Sequence, residues 1–201
     1  GNLAVFNYAN NLQSFPIGIF GISLAVAAFP SFSDALAEQN TSRFKSLFAT
    51  QFIRIIYFLV PISFTLLLLR AHIIRVVLGT GSFDWTATRL TAQTLGYFAL
   101  SIAAQGLTPL LTRSFYALED TKTPVLLSFI NIVLTIILSY ALVKPFGVVG
   151  LALAQSVGAI ALMVALLYAL HRRFGDLNDT QLLRSTGRIF VVSILAAAVL
   201  Y

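Results

Sequence analysis

The sequence predicts an all-α, polytopic transmembrane helix bundle, and the placement of its charges predicts it first. Long uncharged runs separate the charged side chains: 15 residues lie between Arg54 and Arg70, 23 between Arg89 and Arg113, 21 between Lys122 and Lys144, and 26 between Lys144 and His171. A helix crossing a hydrocarbon core of about 30 Å needs about 20 mainly apolar residues. One Asp, Lys or Arg at its centre costs about 2.5–3.5 kcal/mol. A soluble domain has no reason to clear charge from successive windows of that width. Composition agrees: 58% of residues are hydrophobic and 10% charged, where soluble domains carry about 25% charged residues.

Local residues justify each element in turn. The first span, 3–32, precedes the first charge, Asp34, and Pro30-Ser31 mark its exit into a polar loop, 33–45. The second, 46–69, carries Arg54 one or two turns inside, within snorkelling reach of the interface. Its mid-span Pro61 is tolerable because neighbouring helices can satisfy the freed carbonyl. Residues 70–89 are amphipathic and then turn-like (Gly79, Gly81, Asp84), and are expected to lie in the interface. The third span is 90–112. The fourth, 124–143, begins with Thr123 as expected N-cap and Pro124 at the first helical position. Lys144-Pro145-Phe146-Gly147 form a hairpin into the fifth span, 148–170. The expected organisation is a bundle over 1–170, a basic cytoplasmic linker over 171–187, and the start of a truncated sixth span over 188–201. The chain opens on Gly1 with no basic segment ahead of its first apolar run and ends inside an apolar run. The expectation is a segment of a longer protein, without a signal peptide and with further spans on at least the C-terminal side.

Basic residues orient the bundle. One set of alternate loops holds Arg43, Lys45, Arg54, Arg113, Lys122, Arg172, Arg173, Arg184 and Arg188, nine in all, and the other holds Arg70, Arg75, Arg89 and Lys144, four. The positive-inside rule puts the nine in the cytoplasm. The formal charge of +6 then needs no nucleic acid, because basic loops lie against anionic membrane lipid. Cysteine is absent, which excludes disulfides, thiolate nucleophiles and cysteine metal sites. All seven carboxylates and both histidines fall outside the span interiors. Proton relays and intramembrane metal sites need ionisable groups at depth, so neither these nor general acid–base catalysis in the membrane is expected, and no catalytic residue is assigned.

The spans carry uncharged polarity at helical spacing instead. Asn7, Asn10, Asn11 and Ser14 recur at i, i+3, i+4, i+7. Ser101, Gln105, Thr108 and Thr112 likewise share one helical face in the third span, at i, i+4, i+7, i+11, and Ser128, Asn131, Thr135 and Ser139 form a stripe in the fourth. Such stripes serve either as interhelical glue or as the wall of a hydrated cavity. Three Asn in five residues favour a cavity wall for the first stripe. The candidate cavity residues are Asn7, Asn10, Asn11, Ser14, Ser101, Gln105, Asn131 and Thr135. Two small-residue faces, Gly18-Gly21-Ala25 and Gly150-Ala154-Gly158, predict close helix packing.

The segment Thr112-Arg113-Ser114-Phe115-Tyr116-Ala117-Leu118-Glu119-Asp120-Thr121-Lys122-Thr123-Pro124 ends one helix on a basic residue and opens the next with acidic and Thr-Pro caps, matching both helix dipoles. It is either a capping turn or a cytoplasmic gate built on Arg113, Asp120, Thr121 and Thr123, in which Arg113 and Asp120 make and break contact. The segment resembles the Arg-x-Phe-Tyr-Ala-Leu-x-Asp-Thr-x-Thr-Pro motif of the MurJ (MviN) family of lipid II flippases, in the multidrug/oligosaccharidyl-lipid/polysaccharide exporter superfamily. Asn7-Tyr8-Ala9 with Phe15-Pro16, Phe29-Pro30-Ser31-Phe32-Ser33, Leu78-Gly79-x-Gly81-x-Phe83-Asp84 and Pro145-x-Gly147-x-x-Gly150-Leu151-Ala152 agree in order and spacing.

The resemblance implies the second lobe of a two-lobe exporter, from the family's eighth helix into its thirteenth, in the bacterial inner membrane. It implies alternating-access transport of undecaprenyl-pyrophosphate-linked glycan without covalent chemistry, with the first lobe of the same polypeptide as partner. A polysaccharide-unit or multidrug exporter and a non-transporting envelope-assembly scaffold are the alternatives. Asn11 and Ser14 stand where the family usually has an Arg and a nearby Glu, so headgroup contact from this lobe is expected to be weaker. No cofactor is expected. Asn131 and Thr135 lack the carboxylate of some members' ion site, which argues against sodium coupling there.

Overall fold

The computed structural model describes residues 2–78 and 85–200. They form α1 (Asn2–Pro16), a π-helical segment (Ile17–Ile22), α2 (Ser23–Ala37), α3 (Thr41–Leu78), α4 (Trp85–Ala99), α5 (Ile102–Ala117), α6 (Lys122–Phe146), α7 (Val148–Phe174) and α8 (Asp179–Leu200). Five helical stretches are long and apolar enough to cross a membrane: Leu3–Ala37, Thr41–Val76, Lys122–Phe146, Val148–Phe174 and Asp179–Val199. Thr86–Ala99 and Ile102–Ala117 pass the same test only together, as a pair bent by 45°, and make a sixth crossing if the pair counts as one span. The bundle is therefore all-α and polytopic, as its sequence predicts.

The helices run further than expected, and the loops shrink accordingly. Pro30 does not end the first span. The helix continues through it to Ala37, so the loop expected at 33–45 reduces to Glu38-Gln39-Asn40, with Gln39 at φ 54°. Buried Phe32 and Ala35 on one side and Phe44 and Phe48 on the other carry packing into both helix ends. Residues 70–78 prolong α3 rather than leaving it for the interface, and the turn expected at Gly79, Gly81 and Asp84 lies outside the described residues. Of the basic linker expected at 171–187, only Gly175–Asn178 is non-helical. His171 to Phe174 finish α7, where His171, Arg172 and Arg173 complement the helix dipole. The Asp176 carboxylate accepts the Asp179 N–H at 2.7 Å and starts α8.

The third span is broken. Helical bonding lapses at Leu100-Ser101, where Leu100 N–H bonds Tyr97 O at 3.3 Å and Ser101 N–H bonds Phe98 O at 3.0 Å. No proline or glycine sits at the break (Pro109 lies eight residues on), so no local residue announces it.

A Phe-rich core sits on α3, which packs against α2, α4, α5 and α8. Phe44 stacks on Phe174 at 4.8 Å and meets the edge of Phe32 at 5.3 Å. These contacts gather the α2–α3 and α7–α8 links at one end of the bundle. By contrast α6 leans almost entirely on α7, and only its Pro124 is buried. Phe129, Ile136 and Tyr140 are exposed around it, as suits a helix whose surroundings are apolar.

Glycines set the closest approaches. A Cβ on Gly21 would fall 2.6 Å from the Gly106 Cα, so the π-helical segment and α5 touch backbone to backbone. Gly150 and Gly158 are buried against α6 at Leu142 and Thr135, as the small-residue face of the fifth span predicts. Gly18 departs from its predicted role, since a Cβ there would meet nothing within 4 Å. Gly21→Leu is therefore expected to destabilise the fold by about 1–3 kcal/mol through overpacking, while Gly18→Leu leaves it near wild type. Thermal aggregation in detergent separates them, and equal losses would refute the contact.

Candidate functional site

Two of the predicted polar stripes meet across one cavity. Gln105 and Thr108 of α5 face Asn131, Thr135 and Ser139 of α6 around an open cavity of about 640 Å³. Gln155 of α7 completes the polar wall, with Ile17 and Ile22 of the π-helical segment and other apolar side chains filling the rest. No ionisable residue lines it. Such a wall offers amide and hydroxyl donors and acceptors, suited to hydroxyl- or amide-rich ligands and not to charge neutralisation. Asn131 Oδ1 is buried and has no protein hydrogen-bond partner, packed near Thr135 against the bare face of Gly158. An acceptor without a protein partner is not acting as glue between helices.

Ser101 belongs to the glue instead. Gln105 Nε2 donates to Gln13 Oε1 at 3.0 Å and to Ser101 Oγ at 2.9 Å. Ser101 Oγ lies 3.1 Å from Ser156 Oγ, whose hydroxyl donates to the Tyr97 carbonyl at 2.9 Å. Gln13, Ser101 and Ser156 are all buried. This chain of contacts crosses from α1 through the α4–α5 break to α7, and Gln105 is its link to the cavity.

The first stripe lies elsewhere. Asn7, Asn11 and Ser14 are exposed on α1 and Asn10 is half-buried. Asn10 accepts from Gln13 Nε2 at 2.9 Å, and Ser14 Oγ donates back to the Asn10 carbonyl at 2.7 Å. Asn11 borders a second, largely apolar pocket of about 560 Å³, with Tyr8, Phe15, Phe20 and Leu66 among its walls. The structure thus separates the first stripe from the cavity that the third and fourth stripes share. Gln13, Gln155 and Ser156 were missed by the stripe pattern. Their signal was available, because each is a polar side chain within an otherwise apolar span.

At the end of the bundle that gathers the links, Asp120 ties two of them together. Its Oδ1 accepts the Thr123 N–H at 3.0 Å and its Oδ2 the Thr123 hydroxyl at 2.7 Å, so Asp120 is the capping group of α6 where Thr123 was expected to be. Thr121 holds the N-cap position without a side-chain bond of its own. The ion-pair partner of Asp120 is Arg173 of α7, at 2.6 Å. Among the described residues no ion pair joins Asp120 to Arg113, the partner predicted from the motif. Hydrogen bonds from the Thr123 backbone and side chain, followed by the Arg173 charge, hold the Asp120 carboxyl below the usual carboxylate range. Beside this end, α3, α7 and α8 enclose an apolar pocket of about 390 Å³ walled by Phe52, Tyr168 and Leu182, where His171 Nδ1 lies 3.1 Å from Asp179 Oδ2.

Comparison with known proteins identifies the architecture. Residues 1–201 match the family described as "Lipid II flippase MurJ". The chain belongs to the MurJ family. It is 28% identical over its full length to the "Probable lipid II flippase MurJ" of Rhizobium tropici, of which it covers 38%. Over 80% of its length it is 32% identical to the protein of that name from Thermotoga maritima, covering 33% of it. Over 86% it is 26% identical to the "Lipid II flippase MurJ" of Burkholderia cenocepacia, covering 34% of that protein. A solved structure, "Lipid II flippase MurJ, inward closed conformation", superposes with a TM-score of 0.78 at 22% identity, covering 99% of this chain and 45% of the other. The chain thus spans about a third of the length of these curated MurJ relatives. It is a multi-pass protein of the bacterial inner membrane.

The Asp120 geometry makes a prediction for this MurJ-family segment. Asp120→Ala and Arg173→Ala should couple by about 0.5–1 kcal/mol in a thermodynamic cycle, the scale of a partly exposed pair, whereas Asp120→Ala and Arg113→Ala should add. Because the folded carboxyl titrates below its ordinary value, its contribution is complete above about pH 4 and is lost as pH falls through the folded value. Unfolding midpoints of the three single and two double variants at neutral and acidic pH check both statements. Coupling with Arg113 in place of Arg173 would refute the assignment.

Proposed function

We propose that this chain supplies most of the second lobe of a lipid II flippase, which moves undecaprenyl-pyrophosphate-linked glycan across the inner membrane by alternating access and without covalent chemistry. The observation that carries this reading is the uncharged polar cavity of Gln105, Thr108, Asn131, Thr135, Ser139 and Gln155, within a chain of the MurJ family. In this account the wall bonds the sugar and peptide hydroxyls and amides as they pass. The first lobe of the same polypeptide supplies the cations for the pyrophosphate, consistent with Asn11 and Ser14 standing uncharged on α1. The apolar pocket bordered by α8 begins the groove for the polyprenyl tail. The Asp120–Arg173 pair holds the cytoplasmic ends of α5, α6 and α7 together and serves as a tie that lobe motion loads. The account requires no cofactor and places no sodium at Asn131.

Alternating access needs the cavity, whereas a scaffold in envelope assembly does not. In the full-length protein, Asn131→Leu with Gln155→Leu is expected to lower transport at least tenfold, the loss of roughly two hydrogen bonds to a neutral ligand, at unchanged abundance. Complementation of flippase-depleted cells, with protein level measured alongside, checks this. Full complementation by the double variant would remove the cavity from the mechanism.

A further inference from the structure

Arg70 sits far from the Asp120 tie. It lies 29 residues after Thr41 along α3, about 40 Å of helix, towards the end opposite the gathered links. All the carboxylates of the described residues (Asp34, Glu38, Glu119, Asp120, Asp176 and Asp179) occupy those links or the helix ends beside them. None of them pairs with Arg70. Its side chain is laid across α4 at Gly96, where a Cβ would collide with the guanidinium. A helix-interior glycine costs about 1 kcal/mol relative to alanine, and here its missing side chain makes room for a cation.

The guanidinium borders a pocket of about 600 Å³ between α3, α4 and the α6–α7 turn. Gln93 and Tyr97 lie beside it, and Leu67, Leu100 and Phe146 contribute apolar surface. An exposed guanidinium without a carboxylate partner among the described residues, next to an apolar hollow in a membrane-spanning bundle, has the form of a lipid headgroup site. A planar fork of N–H donors matches phosphate oxygens two at a time, and the apolar wall suits the glycerol and upper chain carbons. Basic pockets between transmembrane helices take lipid headgroups by this chemistry.

We propose that Arg70, seated on Gly96, binds the phosphate of a membrane phospholipid whose chains lie along Leu67, Leu100 and Phe146. The site is separate from the polar cavity and does not depend on transport.

The test is native mass spectrometry of the full-length protein in detergent, titrated with phosphatidylglycerol, with diacylglycerol of the same chains, or with inorganic phosphate. Phosphatidylglycerol is expected to occupy one site tightly. Arg70→Gln should weaken that site about tenfold, the scale of one charge-assisted hydrogen bond. Gly96→Leu, which displaces the guanidinium, should weaken it similarly, and Arg54→Gln, 16 residues earlier on α3, should leave it unchanged. Diacylglycerol should bind wild type no better than Arg70→Gln. Unchanged phosphatidylglycerol affinity in a folded Arg70→Gln protein would overturn the proposal. So would equal competition by inorganic phosphate, which would assign a free anion in place of a lipid. Asp84 lies outside the described residues and serves as a control: if Asp84→Asn and Arg70→Gln lower the melting temperature equally and neither alters lipid affinity, Arg70 is an ion-pair partner and the lipid site falls.

Discussion

A helix interrupted inside a membrane leaves carbonyls without their helical donors, and the hydrocarbon offers no water to replace them. That constraint governs the centre of this bundle. At the break between α4 and α5 the Ser101 N–H turns to Phe98 O, and the Tyr97 carbonyl takes the Ser156 hydroxyl from α7 in compensation. Ser101 and Gln105 extend the same contacts to Gln13 on α1. Four segments are thereby held in register by uncharged side chains. The 45° bend they stabilise gives α5 its own direction. α5 then meets the π-helical segment at Gly21 and Gly106 and presents Gln105 and Thr108 to the cavity.

Polarity without charge is the common property of the interior. Each neutral hydrogen bond contributes modestly, averaging about 0.6 kcal/mol between membrane helices, yet a buried acceptor left unpaired costs more than a satisfied one gains. Most of these groups are therefore paired within the protein, and the exceptions carry information. Asn131 Oδ1 is one, and it faces the cavity helices. Gln51 Oε1 on α3 is another, and nothing in the structure explains it. The ion pairs seen between described residues include those at the gathered links, where Asp120 meets Arg173 and His171 meets Asp179. Neutral contacts thus shape the middle of the bundle, and ion pairs fasten the end where the links gather.

Under the proposed function, the uncharged character of the cavity bears on how work is divided between the two lobes. A wall of amides and hydroxyls grips a neutral glycan weakly and releases it readily, whereas a pyrophosphate demands cations. This segment offers the first kind of surface in its cavity and keeps Arg70 outside it, near the far end of α3.

The sequence by itself determined the membrane class, the close packing at Gly150 and Gly158, and the polar stripes, because these follow from charge spacing and helical period alone. It also placed Gln105, Asn131 and Thr135 as candidate cavity residues on two different helices. Only the tertiary structure decided which stripes meet. Helical period tells which residues share a face but says nothing of where that face points, so Asn11 is directed to an apolar pocket and Ser101 into buried glue. The break at Leu100-Ser101 carries no proline or glycine, and it exists because Ser156, 55 residues away, satisfies what the break exposes. The partner of Asp120 was likewise invisible in the motif, since Arg173 approaches it from another helix. Local residues set the lengths and faces of the helices, and long-range hydrogen bonds set their bends and pairings.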